Sequence, residues 1–410
     1  MSEQHYDIVI VGGGPAGLTL ALALTRAMAG LKLALVDRRP FSVPKDQRAS
    51  AIAAGVRRVF EQLGAWADVA PLSEPIRRMK ITDSGNGDMS RPLFLSFDGE
   101  VKPGEPFAHM VPNTALAAAL MRQLDGKVDL IAPAEVTGFG GEGPFGRVSL
   151  ADGRTLLAPL VVASDGAMSA MRGYAGIGTC GHAYGQSGIV TTIAHTLPHE
   201  GTAYEHFRPH GPFASLPLPT LEGRHRSSLV WTETTAEAAR IKAETPETIA
   251  AEIAEAMGYS LGEVTLEESS VQAFPLRLQI ARSFVAPRLA LIGDAAHVIH
   301  PVAGQGLNLG LKDVAALAEV VIDAMRLGQD HGAADILERY QRWRRFDTTL
   351  MATVSDGMTR LFSNDIAPIR AARDFGLGLV DRLGPLKDAM IAQAAGVKNS
   401  GPRLLRGLDL

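Results

Sequence analysis

The hydrophobic pattern changes period several times along this chain, and each change marks an element. Tyr6-Asp7-Ile8-Val9-Ile10-Val11 has the length and composition of a buried strand. Leu18, Leu20, Ala21, Leu22 and Leu24 then recur at helical spacing, and a second strand run spans Lys32 to Val36. Strand, helix and loop alternate to about residue 65, as in a doubly wound sheet. Residues 76–100 change character. Ile76, Met79, Ile81 and Leu93, Leu95, Phe97 predict short alternating strands around Ser84-Gly85-Asn86-Gly87. Pro112 to Leu124 reads as a helix, and Val128 to Phe139 and Val148 to Leu157 as antiparallel strands. Leu160 to Ser164 is a buried strand ending in Asp165-Gly166. Residues 185–275 are strand-rich with one helical insert, Pro246 to Met257. Leu289-Ala290-Leu291-Ile292 is again a buried strand, and Leu311, Val314, Ala315, Leu317 and Ala318 open a long helix. From Ala333 to about Ala395 the pattern is helical and amphipathic.

Glycines punctuate this pattern where chemistry needs them. The first strand runs straight into Gly12-Gly13-Gly14-Pro15-Ala16-Gly17 and then into a helix. Gly12, Gly14 and Gly17 have the dinucleotide-fingerprint spacing in its proper setting. Gly12 permits the tight turn, Gly14 lets a pyrophosphate approach, and Gly17 lets helix pack on strand. The second strand ends in Asp37, where the ribose-binding carboxylate is expected. A charge-assisted bond of that kind is worth about 1.5–3 kcal/mol. Three other glycine triplets fit the same spacing: Gly138/Gly140/Gly143, Gly141/Gly143/Gly146 and Gly176/Gly178/Gly181. The first two lie between strand runs and read as a hairpin loop, and the third has no strand before it.

The stretch Gly293 to Gly310, GDAAHVIHPVAGQGLNLG, is a second strand-to-helix site. A buried strand ends at Asp294, and Gly304-Gln305-Gly306-Leu307-Asn308 feeds a helix N-terminus. Free N–H groups and the helix dipole attract negative charge there. The fingerprint, Asp165-Gly166 and Gly293-Asp294 each fall at the C-terminal end of a buried strand, the edge of a parallel sheet where ligands bind. Three such motifs without a second dinucleotide unit imply one extended ligand, and FAD fits best. Adenosine is expected at Asp37, pyrophosphate at Gly12–Gly17, the ribityl chain at Asp294 and the isoalloxazine beside Gly304, Gly306, Leu307 and Asn308.

The expected architecture is therefore α/β. A Rossmann-like FAD-binding domain of residues 1–75, 101–180 and 275–340 is interrupted by a β-sheet substrate domain of 76–100 and 181–274. A C-terminal helical region of 341–410 follows.

Composition narrows the function. The chain has 410 residues, of which 46% are hydrophobic and 20% charged, ordinary for a globular protein. A formal charge of −4 argues against nucleic acid as partner. No apolar run approaches the ~18–20 residues that cross a bilayer, and no signal peptide is read, so a cytoplasmic protein is expected. The single cysteine, Cys180, excludes an internal disulfide and reads as a small buried residue. His297 and His300 have no acidic partner at metal-ligand spacing, so no metal site is expected.

The motifs together resemble those of the single-component FAD-dependent aromatic hydroxylases, and among them the ubiquinone-biosynthesis hydroxylases. The resemblance rests on Val9–Gly17, on Asp46-Gln47-Arg48-Ala49-Ser50-Ala51-Ile52, on Ser164-Asp165-Gly166 with Arg172, and on Gly293–Gly310. Ile299–Gly310, Leu216-Pro217-Leu218-Pro219, Ser228-Leu229-Val230-Trp231 and Phe274-Pro275-Leu276 match the narrower subfamily. The resemblance implies hydroxylation of the ring of a polyprenylated phenol. NADPH or NADH would reduce the flavin and leave, O2 would add at flavin C4a, and the hydroperoxide would transfer oxygen to the ring. It also implies roles. Arg48 would touch the flavin side, Asn113 the ribityl chain, Asp165 and Arg172 FAD and the reduced nicotinamide. Pro301 would sit over the flavin edge where oxygen reacts. The plainer roles are a surface salt bridge for Arg48, a helix cap for Asn113, and a helix cap with its ion pair for Asp165 and Arg172.

The substrate side is read from alternation. Tyr204-Glu205-His206-Phe207 and Phe213-Ala214-Ser215-Leu216 are expected on strands over the flavin, with alternate residues facing the cavity. His206 is the candidate for helping to deprotonate a phenol, against a structural role. The basic, aromatic segment Arg339–Phe346 suits either anionic lipid, as a peripheral membrane contact, or a solvated face. The C-terminal helices could pack on the core, on a second subunit as a homodimer, or in a quinone-biosynthesis complex. Competing functions are hydroxylation of a small soluble phenol or hydroxybenzoate, a flavin-dependent isoprenoid reductase or oxidase, and a flavin-bearing scaffold.

Overall fold

A computed structural model describes residues 2–43, 48–83, 93–98, 100–141, 143–267, 271–301, 304–362, 395–396 and 401–410. The elements that position the site, in chain order, begin with β1 (Ile8–Val11), α1 (Pro15–Ala27) and β2 (Leu33–Val36). Next come β3 (Ala49–Ala53), α2 (Ala54–Gln62), β4 (Arg78–Asp83), β5 (Ala108–Pro112), α3 (Asn113–Leu124) and β6 (Asp129–Ile131). They continue with β7 (Leu160–Ala163), α4 (Ala170–Tyr174), β8 (Thr179–His195), β9 (Thr202–Arg208), β10 (Gly211–Leu221) and β11 (Arg224–Thr234). The last are α5 (Thr235–Ala243), α6 (Pro246–Ala256), β12 (Gln272–Ala281), β13 (Leu289–Leu291), α7 (Gln305–Arg326) and α8 (Ala334–Phe362).

One sheet runs β6–β2–β1–β7–β13, all parallel, with an antiparallel edge strand at Val285–Ala286. Every residue of β1, β2, β7 and β13 is buried. That explains their unbroken apolar runs, because a parallel sheet is covered on both faces. Leu18–Leu24 of α1, Leu116 and Leu120 of α3, and Val314–Ala318 of α7 share its core. A second, smaller sheet contributes Val148, Leu150 and Leu156 to the same core, through strands at 136–140, 146–150 and 155–158.

The second domain is one large sheet. β12, β8, β11, β10, β9 and β4 lie side by side, and only the β9–β4 pairing among these is parallel. Ile189, Phe213, Leu229 and Trp231 bury one face under α5 and α6. The other face looks toward the C-terminal edge of the parallel sheet.

Three expectations change, the first being that Asp129–Ile131, part of a run expected to be antiparallel, pairs in parallel with β2. Two helices, α5 and α6, stand where one was predicted. α5 escaped notice because only Ala238 and Ile241 are buried on it, too few for a periodic signal. Its start is set by Thr234, whose hydroxyl accepts the Glu237 N–H. Cys180 is exposed on β8 rather than buried. At the C-terminal end, α8 packs on α7, and Leu404 and Leu405 are buried in the core of the first domain. Arg403 there pairs with Glu319 and Asp323 of α7, and the Gln62 amide donates to the Gly407 carbonyl. The predicted turn at Ser84–Gly87 and most of the predicted helix beyond Phe362 lie outside the described residues.

Candidate active site

The three strand-end motifs meet at one edge, as their spacing predicts. Gly12 has φ +114°, and a side chain on it would overlap the Ser164 carbonyl at the end of β7. Gly17 has no room either, since a β-carbon there would overlap the Gly12 carbonyl and come within 2.6 Å of Ser164 Oγ. Gly14 has nothing within 4 Å of where its β-carbon would be, so its face is open to a ligand. Gly14 is also the N-cap of α1, with no side chain capping it and Pro15 in the first turn. The free amides of that turn make an anion site. The Ser164 hydroxyl donates to the Gly12 carbonyl at 2.7 Å and so ties β7 to the fingerprint turn. Asp37 accepts the Gly13 N–H at 2.7 Å and the Arg39 N–H at 2.8 Å, which fixes its carboxylate on the cavity wall.

Asp294 follows Gly293, which has φ +59°, in a single 3-10 turn after β13. Its side chain opens into the cavity while protein surrounds it on the remaining sides. Burial raises its carboxyl above the usual range, and nearby Asp313 adds to this while His297 opposes it. The turn is held from behind by a buried ion network. Asp313 of α7 accepts the Gly293 N–H at 3.0 Å and Arg344 Nε at 2.7 Å, and lies 2.6 Å from His297 Nε2. Burial alone would push the Asp313 carboxyl up, but His297 and Arg344 outweigh it and hold it below the usual range. Arg344 is only 3% exposed, so this member of the Arg339–Phe346 segment faces the core, not lipid or solvent.

Asp165 holds the start of α4, and Arg172 of that helix serves the Asp294 turn. Asp165 accepts the Met171 N–H at 3.1 Å and the Ser169 hydroxyl, capping α4. Arg172 does not close an ion pair on it. Its guanidinium donates to the carbonyls of Ala295 at 2.8 Å and Ala167 at 3.0 Å, and so braces the Asp294 turn. Burial lowers the Arg172 pKa.

α7 begins at Gly304, in the left-handed region with φ +62°, and no side chain caps it. Gly306 is open, while Gly310 lets the helix cross Gly293 at close quarters. The first turn of α7 therefore points its amides at the cavity. Asn308 lines the cavity, but its side-chain amide is turned to the protein. Its Oδ1 accepts the Ala53 N–H at 2.9 Å, and its Nδ2 donates to the carbonyls of Ala51 at 2.7 Å and Gly304 at 3.1 Å. The Asn308 side chain thus clasps β3 to α7 at the cavity wall. Asn113 opens α3 rather than capping it, accepts the Ser50 hydroxyl at 2.7 Å, and lines the cavity. Arg48 stands at the rim, its guanidinium 5.2 Å from the Phe274 ring centre in a cation–π contact. Pro301 also lines the cavity; Val302 and Ala303, and Asp46 and Gln47 before Arg48, lie outside the described residues.

The cavity, about 1120 Å3, continues past this edge to the open face of the large sheet. Here the alternation places Ala203 and Glu205 of β9 on the wall. His206 has the opposite parity. It lies on the side of Phe213 and Trp231, with its Nδ1 2.7 Å from Thr82 Oγ1. The candidate base is therefore on the wrong face, and Glu205 is the ionisable group beside it that faces in. Among the described residues no group of His, Cys, Asp and Glu could hold a metal ion.

Comparison with known proteins agrees with this geometry. The FAD binding domain family matches residues 5–353. Ubiquinone hydroxylase UbiL of Rhodospirillum rubrum is 42% identical over all of this chain and 94% of its own length. The 3-demethoxyubiquinol 3-hydroxylase of Escherichia coli is 34% identical over 97% of this chain and all of its own. Among solved structures, p-nitrophenol 4-monooxygenase from Pseudomonas putida superposes with a TM-score of 0.79 at 19% identity, covering 97% of this chain and all of its own, which speaks for the fold. The chain belongs to the FAD binding domain family, as a flavin-dependent monooxygenase whose full-length relatives include the ubiquinone hydroxylases.

Proposed function

We propose that the protein adds a hydroxyl to the ring of a prenylated phenol on the route to ubiquinone, with FAD, NADPH or NADH, and O2. The observation that carries this reading is the continuous cavity from the glycine cradle to an apolar sheet wall. Its volume exceeds the ~300–1,000 Å3 of a typical ligand pocket, enough for a cofactor and a lipophilic ring together.

The residues present fit FAD. Asp37 would accept from a ribose hydroxyl, the α1 N-terminus at Gly14 would hold the pyrophosphate, and Asp294 would meet the ribityl chain. The first turn of α7, from Gly304 to Leu307, would put its amides at the edge of the ring system, where they favour negative charge. Bound FAD would supply hydride acceptance and oxygen activation; the chain supplies position, dryness and charge. Asn308 keeps β3 against α7, and Arg172 and Asp313 brace the Asp294 turn. Arg48 and Pro301 sit at the rim where the substrate ring and the reacting edge would meet. By the family resemblance, Asp165 and Arg172 would also serve binding of the reduced nicotinamide.

The sheet wall favours a lipophilic substrate over a hydroxybenzoate. Its inward groups among the described residues are mostly small and aliphatic. Each buried CH2 of a prenyl tail adds about 0.8 kcal/mol. Among the described residues no helix is long and apolar enough to cross a membrane. Arg339, Arg342, Arg345 and Phe346 are all exposed on α8 and would suit a peripheral contact with anionic lipid, from which such a substrate could enter.

Two measurements test the function. The purified protein should carry or regain FAD and couple NAD(P)H oxidation to oxygen insertion into 2-farnesylphenol. Lipid analysis of a deletion strain should show a ubiquinone precursor lacking one ring hydroxyl. Uncoupled oxidation with every phenol tried, together with unaltered quinone lipids, would sink the reading.

A further inference from the structure

Of the buried side-chain oxygens and nitrogens that lack a hydrogen-bond partner among the described residues, one belongs to the cavity wall: Thr232 Oγ1. Thr232 lies on β11 and is 1% exposed. Its side of the sheet follows from the register. Val230 pairs with Ala214 of β10 and Val190 of β8, and both Val230 and Ala214 line the cavity. Thr232 is two residues further along the same strand, so it projects from the same face. Its own cross-strand partner on β8 is Gly188, which brings no side chain to it. Its Cγ2 methyl packs against Gly211, where a β-carbon would come within 2.5 Å. The other polar side chains that this sheet gives to the cavity are differently placed: Glu205 is engaged within the protein, and Gln272 is exposed. Valine would fill the space of Thr232 and continue the aliphatic wall of Ala214 and Val230. A buried hydroxyl with nothing to bond weakens a fold unless a ligand completes it.

We propose that Thr232 binds the ring hydroxyl of the substrate and sets the orientation of the ring, resting on the function proposed above. The Thr232 hydroxyl, turning about its Cα–Cβ bond from one staggered position to another, donates to the phenolic oxygen. With that oxygen held at Thr232, the ring lies over Ala214 and Val230 and cannot turn freely in the cavity. Which ring carbon meets the reacting edge is then decided by Thr232 together with the tail. A ring without an oxygen leaves the hydroxyl unpaired, so it binds more weakly by the loss of that one bond. No proton or electron changes hands at Thr232; its part is position and selection.

The test uses the FAD-loaded full chain, with 2-farnesylphenol and farnesylbenzene as probes and dissociation constants read from flavin fluorescence. Wild type should bind the phenol about fivefold to tenfold more tightly than the hydrocarbon. Thr232→Val should remove that preference by weakening the phenol alone, and Thr232→Ser should keep it. Thr232→Val should unfold at the same urea concentration as wild type or higher, because the hydroxyl it removes has no partner in the folded chain. With the phenol it should also pass more reduced nicotinamide to hydrogen peroxide. Thr232→Val binding both probes as wild type does, weakening both alike, or unfolding at clearly lower urea would overturn the assignment. If wild type itself hydroxylates neither 2-farnesylphenol nor any other phenol, the proposed function fails instead.

Discussion

Asp313 offers the sharpest test of how the site is held together. Its fully buried carboxylate serves three partners at once: the Gly293 N–H, His297 and Arg344. Asp313→Asn removes the charge and turns an amide donor toward at least one existing donor. Breaking a buried ion pair from one side costs about 3–5 kcal/mol, a large part of the ~5–15 kcal/mol that holds a typical protein folded. Arg344→Met should cost less, because His297 and the Gly293 N–H still satisfy Asp313. The double variant should cost less than the two singles added, by about 2 kcal/mol, since each charge is a burden once the other is gone. Urea unfolding of the four proteins at unchanged m-value gives these numbers. The Asp313→Asn protein should also lose FAD on gel filtration, because the turn that presents Asp294 is no longer tethered to α7. Strictly additive costs, or a wild-type midpoint for Asp313→Asn, would refute the network as the brace of the site.

Three other outcomes follow from the same geometry. Gly17→Ala places a methyl on the Gly12 carbonyl, so the protein should be made without bound flavin while the large sheet stays folded; a normal flavin absorbance per chain would contradict this. Asn308→Ala leaves the buried Ala53 N–H without a partner and should cost about 1–3 kcal/mol in the urea midpoint; no shift would mean that the β3–α7 clasp holds nothing. His300 is fully buried against Tyr184, and burial pushes its ring down to about 4 from 6.5. Its folded-state pKa is below the unfolded one, so its share of stability is whole above about pH 6.5 and is lost as pH falls toward 4, about 2 kcal/mol by pH 5. His300→Phe should flatten the stability profile across that window, and an unchanged slope would refute it.

The parts legible in the sequence were those fixed by local backbone demands. Gly12, Gly17 and Gly304 must be glycines because the turns they sit in have no room or no ordinary φ, and such demands survive in a one-dimensional reading. The strands that end at Asp37, Asp165 and Asp294 announced themselves because strands buried on both faces leave unbroken apolar runs. What failed depended on partners distant in sequence. Alternation showed that β9 has an inward set, but not which parity is inward, so nothing in the sequence placed His206 on the face away from the cavity. Asp313 sits in an apolar helix stripe, where a lone acid was the signal, yet its partners His297 and Arg344 lie in other segments. Arg344 was read with its exposed neighbours for the same reason. Asn308 stood in a cofactor motif, and only the fold shows that its amide reaches back 255 residues to Ala53.

That last bond has a consequence for the order of assembly in a growing chain. The strands of the parallel sheet are delivered far apart, and β7 must wait between a partner already made and one still to come. The large sheet is delivered almost as one block, with β8, β9, β10, β11 and β12 following one another. During synthesis at about 5–20 residues per second, roughly 10–50 s separate Ala53 from Asn308. The interior sheet can therefore organise while the nucleotide cradle is still half-built and its apolar strands are uncovered. Flavin loading is then an event of the finished chain, and the interval before it is when the nascent protein most needs shielding from aggregation.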